Sequence, residues 1–226
     1  MVISYFLELA VNLERTKRIQ EVAHETGALL YGDFTLASGK KSDRYYDGKQ
    51  LTLHPEGAYL IGAEILDRLT GIDVDAIGGL VMGAIPIVTA VTVVSHLEGK
   101  PMPSFIVREE PKEHGTRKKI EGHFNKGSKV AIIDDVITTG GSVRKAIEAV
   151  EAEGCEVVKV IVIVDRNEGG SERLRKEGYD FEAIVNFPPS GKASISESSA
   201  VGGEARAGIL HFNNCISTGW FGTGYY

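Results

Sequence analysis

Residues 130–142 read VAIIDDVITTGGS, an apolar run that delivers two adjacent carboxylates, Asp134 and Asp135, ahead of a glycine turn. Neighbouring like charges behind a buried strand cost stability unless a ligand uses them. Carboxylates at the end of a parallel strand have three common tasks: binding a metal, acting as a general base, or accepting hydrogen bonds from vicinal hydroxyls. The residues that follow discriminate among these. Thr138, Thr139, Gly140, Gly141 and Ser142 combine hydroxyls with glycines at the start of a helix, where several backbone N–H groups and the helix dipole converge. Such a nest suits a phosphate. A phosphate cradle a few residues from paired carboxylates matches a ribose 5-phosphate, its phosphate in the nest and its ring hydroxyls on the acids. A helix cap by Thr139 or Ser142 would explain one oxygen but not two acids. No Gly-Lys-Ser/Thr is present, so the Walker A alternative fails.

The elements around this stretch alternate apolar runs of strand length with helical periodicity, which predicts an α/β fold with a mostly parallel sheet flanked by helices. A helix is expected from about Leu13 to Thr26, closed by Gly27, and a hairpin over 33–47 around Ser38-Gly39-Lys40-Lys41. Pro55 opens a helix carrying Ile61, Ile65 and Leu69 on one face. Strands are expected over 73–80, 104–109, 156–166 and 181–187. Residues 87–97 read as a buried helix, with strand as the competing reading. A helix starts near Gly141, and a short polar one spans Ser171 to Lys176. Between strand 104–109 and the glycine-flanked stretch at 130 lies a charged segment without periodicity, too long for a simple connection.

The 226 residues suffice for one sizeable core, and 42% hydrophobic with 25% charged residues is ordinary for a globular protein. A net charge of −6 argues against general attraction to nucleic acid or acidic membranes, so any anion needs a local site. Cys155 and Cys215 form no CxxC pattern, the N-terminus lacks the features of a signal peptide, and no run is long enough to span a membrane. These features point to a cytoplasmic chain. Residues 188–226 are rich in Gly and Ser and aperiodic, and are expected to be a disordered or non-native extension.

VAIIDDVITTGGS resembles, over all thirteen residues, the PRPP-binding motif of the type I phosphoribosyltransferases. FIVREEPKEHGTRKK (105–119) resembles the flexible catalytic loop of the orotate phosphoribosyltransferases within that family. FTLASGKKSDRYYD (34–47) resembles their N-terminal hairpin, GGLVMGAIP (78–86) their pyrophosphate-side loop, and VDRNEGG (164–170) their strand-end Asp-Arg element. The resemblance covers about residues 20 to 187. It implies a phosphoribosyltransferase domain over 1–187, with a helix-and-hairpin hood at 13–55 and an α/β core at 56–187. It also implies transfer of a phosphoribosyl group from PRPP to orotate with Mg²⁺, the metal being carried by PRPP.

By position, Arg108, Lys112 and His114 would contact the pyrophosphate as the catalytic set. Asp134 and Asp135 would hold the ribose hydroxyls, Thr138 to Ser142 the 5-phosphate, and Thr138, Arg166, Tyr45 and Tyr46 the orotate. The loop 108–119 would reach the neighbouring site of a homodimer. Two departures remove positive charge near the diphosphate: Ala37 where some members have lysine, and Glu109 where the loop often has lysine. Lys40, Lys41 and Lys118 are the candidates to compensate. The rival readings are a phosphoribosyltransferase for a purine or other base, against which the EPKEHG loop and hairpin argue, and a non-catalytic PRPP sensor, which would be expected to lose the cationic loop.

Overall fold

The computed structural model describes residues 2–35, 39, 41–110 and 119–186, all within the compact unit Met1–Ala193. Helix α1 (Val2–Glu25) buries Ile19, Val22 and Ala23 and ends before Gly27, whose φ is +71°. It starts well before the expected Leu13, because no glycine or proline interrupts residues 2–12. Strands β1 (Leu29–Thr35) and β2 (Lys41–Tyr46) form an antiparallel hairpin whose register slips between Tyr31 and Phe34. A short helix, α2 (Gly48–Thr52), follows it. It is too short to show a period in the sequence, being one turn capped by the Asp47 carboxylate, which accepts from Lys49 N–H at 3.2 Å. Pro55 then opens α3 (Pro55–Arg68), with His54 as its cap.

The main sheet is built from β3 (Ala76–Leu80), β4 (Ser104–Val107), β5 (Ile120–Gly122), β6 (Lys129–Ile137), β7 (Glu156–Asp165) and β8 (Phe181–Asn186). Their order is β5-β4-β3-β6-β7-β8, parallel except for β5 at the edge. Strand β5 escaped the sequence reading because three residues among charges leave no period to detect. Between the strands run α4 (Ala84–Leu97), α5 (Gly141–Glu151) and α6 (Gly170–Lys176). Residues 87–97 are helical: Ile87, Val88, Val91 and Val94 are buried at helical spacing. The hydroxyls of Thr89 and Thr92 donate back to Ile85 O and Val88 O at 2.8 Å each, so their polarity is met within the helix.

Alternation along the central strands sends Ile133, Ile161 and Ile163 into one core with α1, α3 and α4. Val130, Ile132, Val160 and Val162 enter a second core with α5. Each fully buried isoleucine contributes about 2–3 kcal/mol of burial. On the first face an ionic chain ties helices to the sheet edge: buried Glu64 accepts from Arg68 at 2.9 Å, and Arg68 reaches Glu182 at 3.0 Å.

Helix α4, which follows β3, and α5, which follows β6, pack on opposite faces. The chain therefore changes direction between β3 and β6, and a crevice opens at their carboxyl ends. Their pairing stops at Gly78 opposite Ile132, while β6 and β7 stay paired to Ile137 and Asp165. Close approach of β3 depends on Gly79, where a methyl group would stand 2.0 Å from the Ile133 carbonyl oxygen. Gly79→Ala is expected to destabilise the protein by about 3 kcal/mol, the scale for overpacking a rigid contact. Urea denaturation measures this; a variant as stable as the parent would contradict the strand spacing.

Candidate active site

Asp134 and Asp135 lie beside the crevice, inside β6 and not at its end, because the strand continues to Ile137. Asp134 is 5% exposed, and its Oδ1 accepts from Asp135 N–H at 3.0 Å. Although neighbours on a strand, both carboxylates converge on the turn after β3: a methyl group at Gly83 would lie 2.7 Å from an oxygen of each. Gly48 of α2 approaches from the hood, where a methyl would lie 2.9 Å from Asp135 Oδ2. Glycine at both positions leaves the acids room that a side chain would fill. Burial, reinforced by the charge on Asp135, pushes the Asp134 carboxyl up to about 7. Burial also raises Asp135, against the nearby Lys49 ammonium, which lies 4.0 Å from Asp135 Oδ2.

The turn after β6 has the form expected of an anion nest. Gly140 adopts φ +85°, ψ 11°, and no side chain caps the N-terminus of α5. The first N–H groups of α5 are therefore available to an anion. Gly170 braces the turn from behind: its N–H donates to Thr138 O at 2.9 Å, and a methyl there would stand 2.5 Å from that oxygen. Asp134, Asp135, Thr138 and Ser142 line one cavity of about 250 Å³, together with Val81, Met82, Gly83 and Lys49. The structure thus brings the two acids and the glycine turn together in one cavity.

The remaining expected residues are placed less uniformly. Arg166 N–H donates to Ile137 O at 3.1 Å, which sets the residue beside the nest, and its guanidinium pairs with Glu168 at 3.2 Å. Tyr46 is packed into the core next to Asp135, whereas Tyr45 is 43% exposed on the other side of β2, its ring 5.7 Å from Phe34. Strand alternation separates the two tyrosines, so only Tyr46 faces the acids. Arg108 closes β4: its N–H donates to Lys119 O at 2.9 Å and its guanidinium to Glu121 at 3.1 Å. Lys112 and His114 lie outside the described residues, as do Ala37, Lys40, Lys118 and the extension from 188. Lys41 donates to Thr35 across the hairpin at 2.8 Å. Gly48, Lys49, Gly83 and Gly170 were not singled out from sequence, although Gly83 and Gly170 sit inside segments that were quoted.

Among the described residues, no group of three or more His, Cys, Asp or Glu side chains gathers as a metal cage. Two carboxylates in one cavity do fit a Mg²⁺ that arrives on substrate phosphates and keeps much of its water shell. No described helix is long and apolar enough to cross a membrane.

A sheet with this crevice, and a carboxylate pair joined to a phosphate nest, define a class of ribose-phosphate-binding α/β proteins. The model of the phosphoribosyl transferase domain matches residues 55–188. The orotate phosphoribosyltransferase of Nostoc sp. (strain PCC 7120) is 49% identical over 157 residues, covering 69% of this chain and 76% of that protein. That of Methanocaldococcus jannaschii is 40% identical over 173 residues, 76% of this chain and 95% of that protein. Among solved structures, Mycobacterium tuberculosis H37Rv orotate phosphoribosyltransferase in complex with PRPP superposes with a TM-score of 0.63 at 32% identity, covering 76% of this chain and 95% of that one. The chain belongs to the phosphoribosyl transferase family and, within it, to the orotate phosphoribosyltransferases.

The raised Asp134 carboxyl has a consequence for stability. The folded protein retains a proton that an unfolded aspartate, with a pKa of about 4, has already released. That contribution is complete below about pH 4 and is lost as the pH rises through about 7. An asparagine side chain would imitate the protonated form and keep an oxygen for Asp135 N–H. The variant Asp134→Asn is therefore expected to melt above the parent at pH 8, with the gap closing toward pH 4, while losing transferase activity. Calorimetric melts across that range check this; a gap that widens on acidification would contradict the burial of a charged pair.

Proposed function

We infer that this chain transfers the 5-phosphoribosyl group from PRPP to orotate, giving orotidine 5-monophosphate and pyrophosphate for pyrimidine synthesis in the cytoplasm. The observation that carries the reading is the juxtaposition of Asp134 and Asp135 with the uncapped α5 N-terminus in one cavity. The nest from Thr138 to Ser142 holds the 5-phosphate, and the two carboxylates accept from the ribose hydroxyls. Those hydrogen bonds favour the ionised acids, offsetting the burial that raises them. Arg166, beside the nest, presents a guanidinium suited to the orotate carboxylate, and Tyr46 closes the hood side.

Breaking the bond from C1 to pyrophosphate develops positive charge on the ribose and negative charge on the leaving group. Bound Mg²⁺ would supply charge neutralisation to the diphosphate. Arg108, Lys112 and His114 stabilise the same departing charge from the protein side, and orotate N1 attacks the cationic carbon. The β4–β5 ladder pairs the residues at which the loop leaves and rejoins the sheet, where Arg108 N–H meets Lys119 O. The catalytic unit in this reading is residues 1–187.

An ultraviolet assay of orotate with PRPP and Mg²⁺, with adenine, hypoxanthine and uracil as comparison bases, tests the proposal. Orotate-specific loss is expected, and Lys112→Ala is expected to lower turnover by about 10²-fold, the scale for one preorganised donor. Turnover of another base without orotate loss would overturn the specificity.

The enzyme is proposed to work as a homodimer. In support, an apolar groove of about 620 Å³ runs along α3 and α4, lined by Leu53, Tyr59, Ile85, Val93 and Leu97. Lys49 and Met82 line both this groove and the catalytic cavity, so an occupant of the groove would border the site. Among the described residues, Lys49 is its one charged lining residue, which suits a second apolar face of the same chain over a charged partner. Val93→Glu is expected to convert a dimer to a monomer in light-scattering chromatography; an unchanged mass would remove this face from the interface.

A further inference from the structure

Lys49 is the single cation among the described residues lining the catalytic cavity. It extends from α2, which packs into the core that holds α1, α3 and α4, through Leu51. The phosphate nest belongs to α5, which packs into the core on the opposite face of the sheet. The cavity is therefore approached by positive charge from two sides: the α5 N-terminus on one, the Lys49 ammonium on the other. PRPP carries anionic groups at both ends of its ribose. With the 5-phosphate in the nest and the ring hydroxyls on Asp134 and Asp135, its diphosphate draws on cations other than these, the loop's Arg108, Lys112 and His114 and any that the cavity adds. The turn Leu80–Gly83 offers no charged side chain, and the hairpin and loop each lack a lysine at 37 and 109.

We propose that Lys49 is a substrate-binding residue that balances the Asp134–Asp135 pair in the free enzyme and turns to the diphosphate of PRPP when the ribose hydroxyls engage those acids. The proposal rests on the phosphoribosyl-transfer reading above. Its geometry permits the movement. Lys49 is 52% exposed and stands 4.0 Å from Asp135 Oδ2, a loose contact that a flexible four-carbon stem can leave. The fold does not depend on that contact, since α2 is held by the Asp47 cap, by buried Leu51 and by Gly48 against Asp135. Among the described residues, the charged and titratable groups facing the acids are each other, Lys49 from α2 and Tyr46 from β2, the last with Asp47 beside it.

The test compares Lys49→Met and Lys49→Arg with the parent in the orotate assay, with melting temperature and the pH profile of kcat/KM for PRPP as further readouts. Lys49→Met is expected to fold with an unchanged melting temperature and to raise KM for PRPP by about tenfold, the scale for one charged hydrogen bond, with KM for orotate nearly unchanged. The acid limb of its profile moves to higher pH, because the ammonium no longer favours the ionised acids. Lys49→Arg recovers most of the affinity. Parental KM and pH profile in a folded, active Lys49→Met overturn the proposal, as does a loss that arginine cannot restore. Absence of orotate turnover in the parent overturns the transfer reading instead, independently of Lys49.

Discussion

Everything in this molecule's chemistry depends on keeping two adjacent carboxylates in a space that disfavours their charge. Asp134 is almost fully buried and Asp135 largely so, and burial raises the cost of ionising both. An isolated strand would avoid this arrangement by sending neighbouring side chains to opposite faces. Here the turn at Gly83 and the start of α2 at Gly48 leave openings into which both acids reach. The pair is tolerable because Asp134 accepts from Asp135 N–H and the Lys49 ammonium lies 4.0 Å from Asp135.

The sheet supplies that opening through connectivity. Strand β3 sends its helix to one face and β6 sends its own to the other, so neither helix crosses the gap between their ends. Glycines at 78 and 79 let β3 lie close to its neighbours, bringing the Val81–Gly83 turn against the acids. The Thr138–Ser142 turn is held by Gly170 from the next connection, so two successive loops form one rigid wall. In the transfer reading proposed above, this wall would orient the ribose phosphate.

Much of this was legible in the residues. The acids, the hydroxyls and the glycines of VAIIDDVITTGGS are contiguous, so one strand and one helix terminus suffice to bring them together. The helix over 87–97 was legible too, although its apolarity left strand as a competitor until burial at helical spacing decided it. Helix α2 and strand β5 were not legible. Each is too short to show a period, and each exists because a neighbour holds it: Asp135 and Leu51 packing for α2, the β4 ladder for β5. Tyr45 and Tyr46 looked equivalent in sequence and were separated by strand alternation.

The sequence by itself determined the chemistry of the local motif: an anion nest needs glycine at 140 and an uncapped helix start, and both are properties of consecutive residues. It determined the family as well, since the hairpin, loop and Asp-Arg segments carry their own signatures. Only the tertiary structure decided what surrounds the acids. Lys49 is far from Asp135 along the chain, and reaches it because Gly48 can press against that carboxylate. Contacts at such separation depend on how helices and strands pack, and packing leaves no local period in the residues it joins.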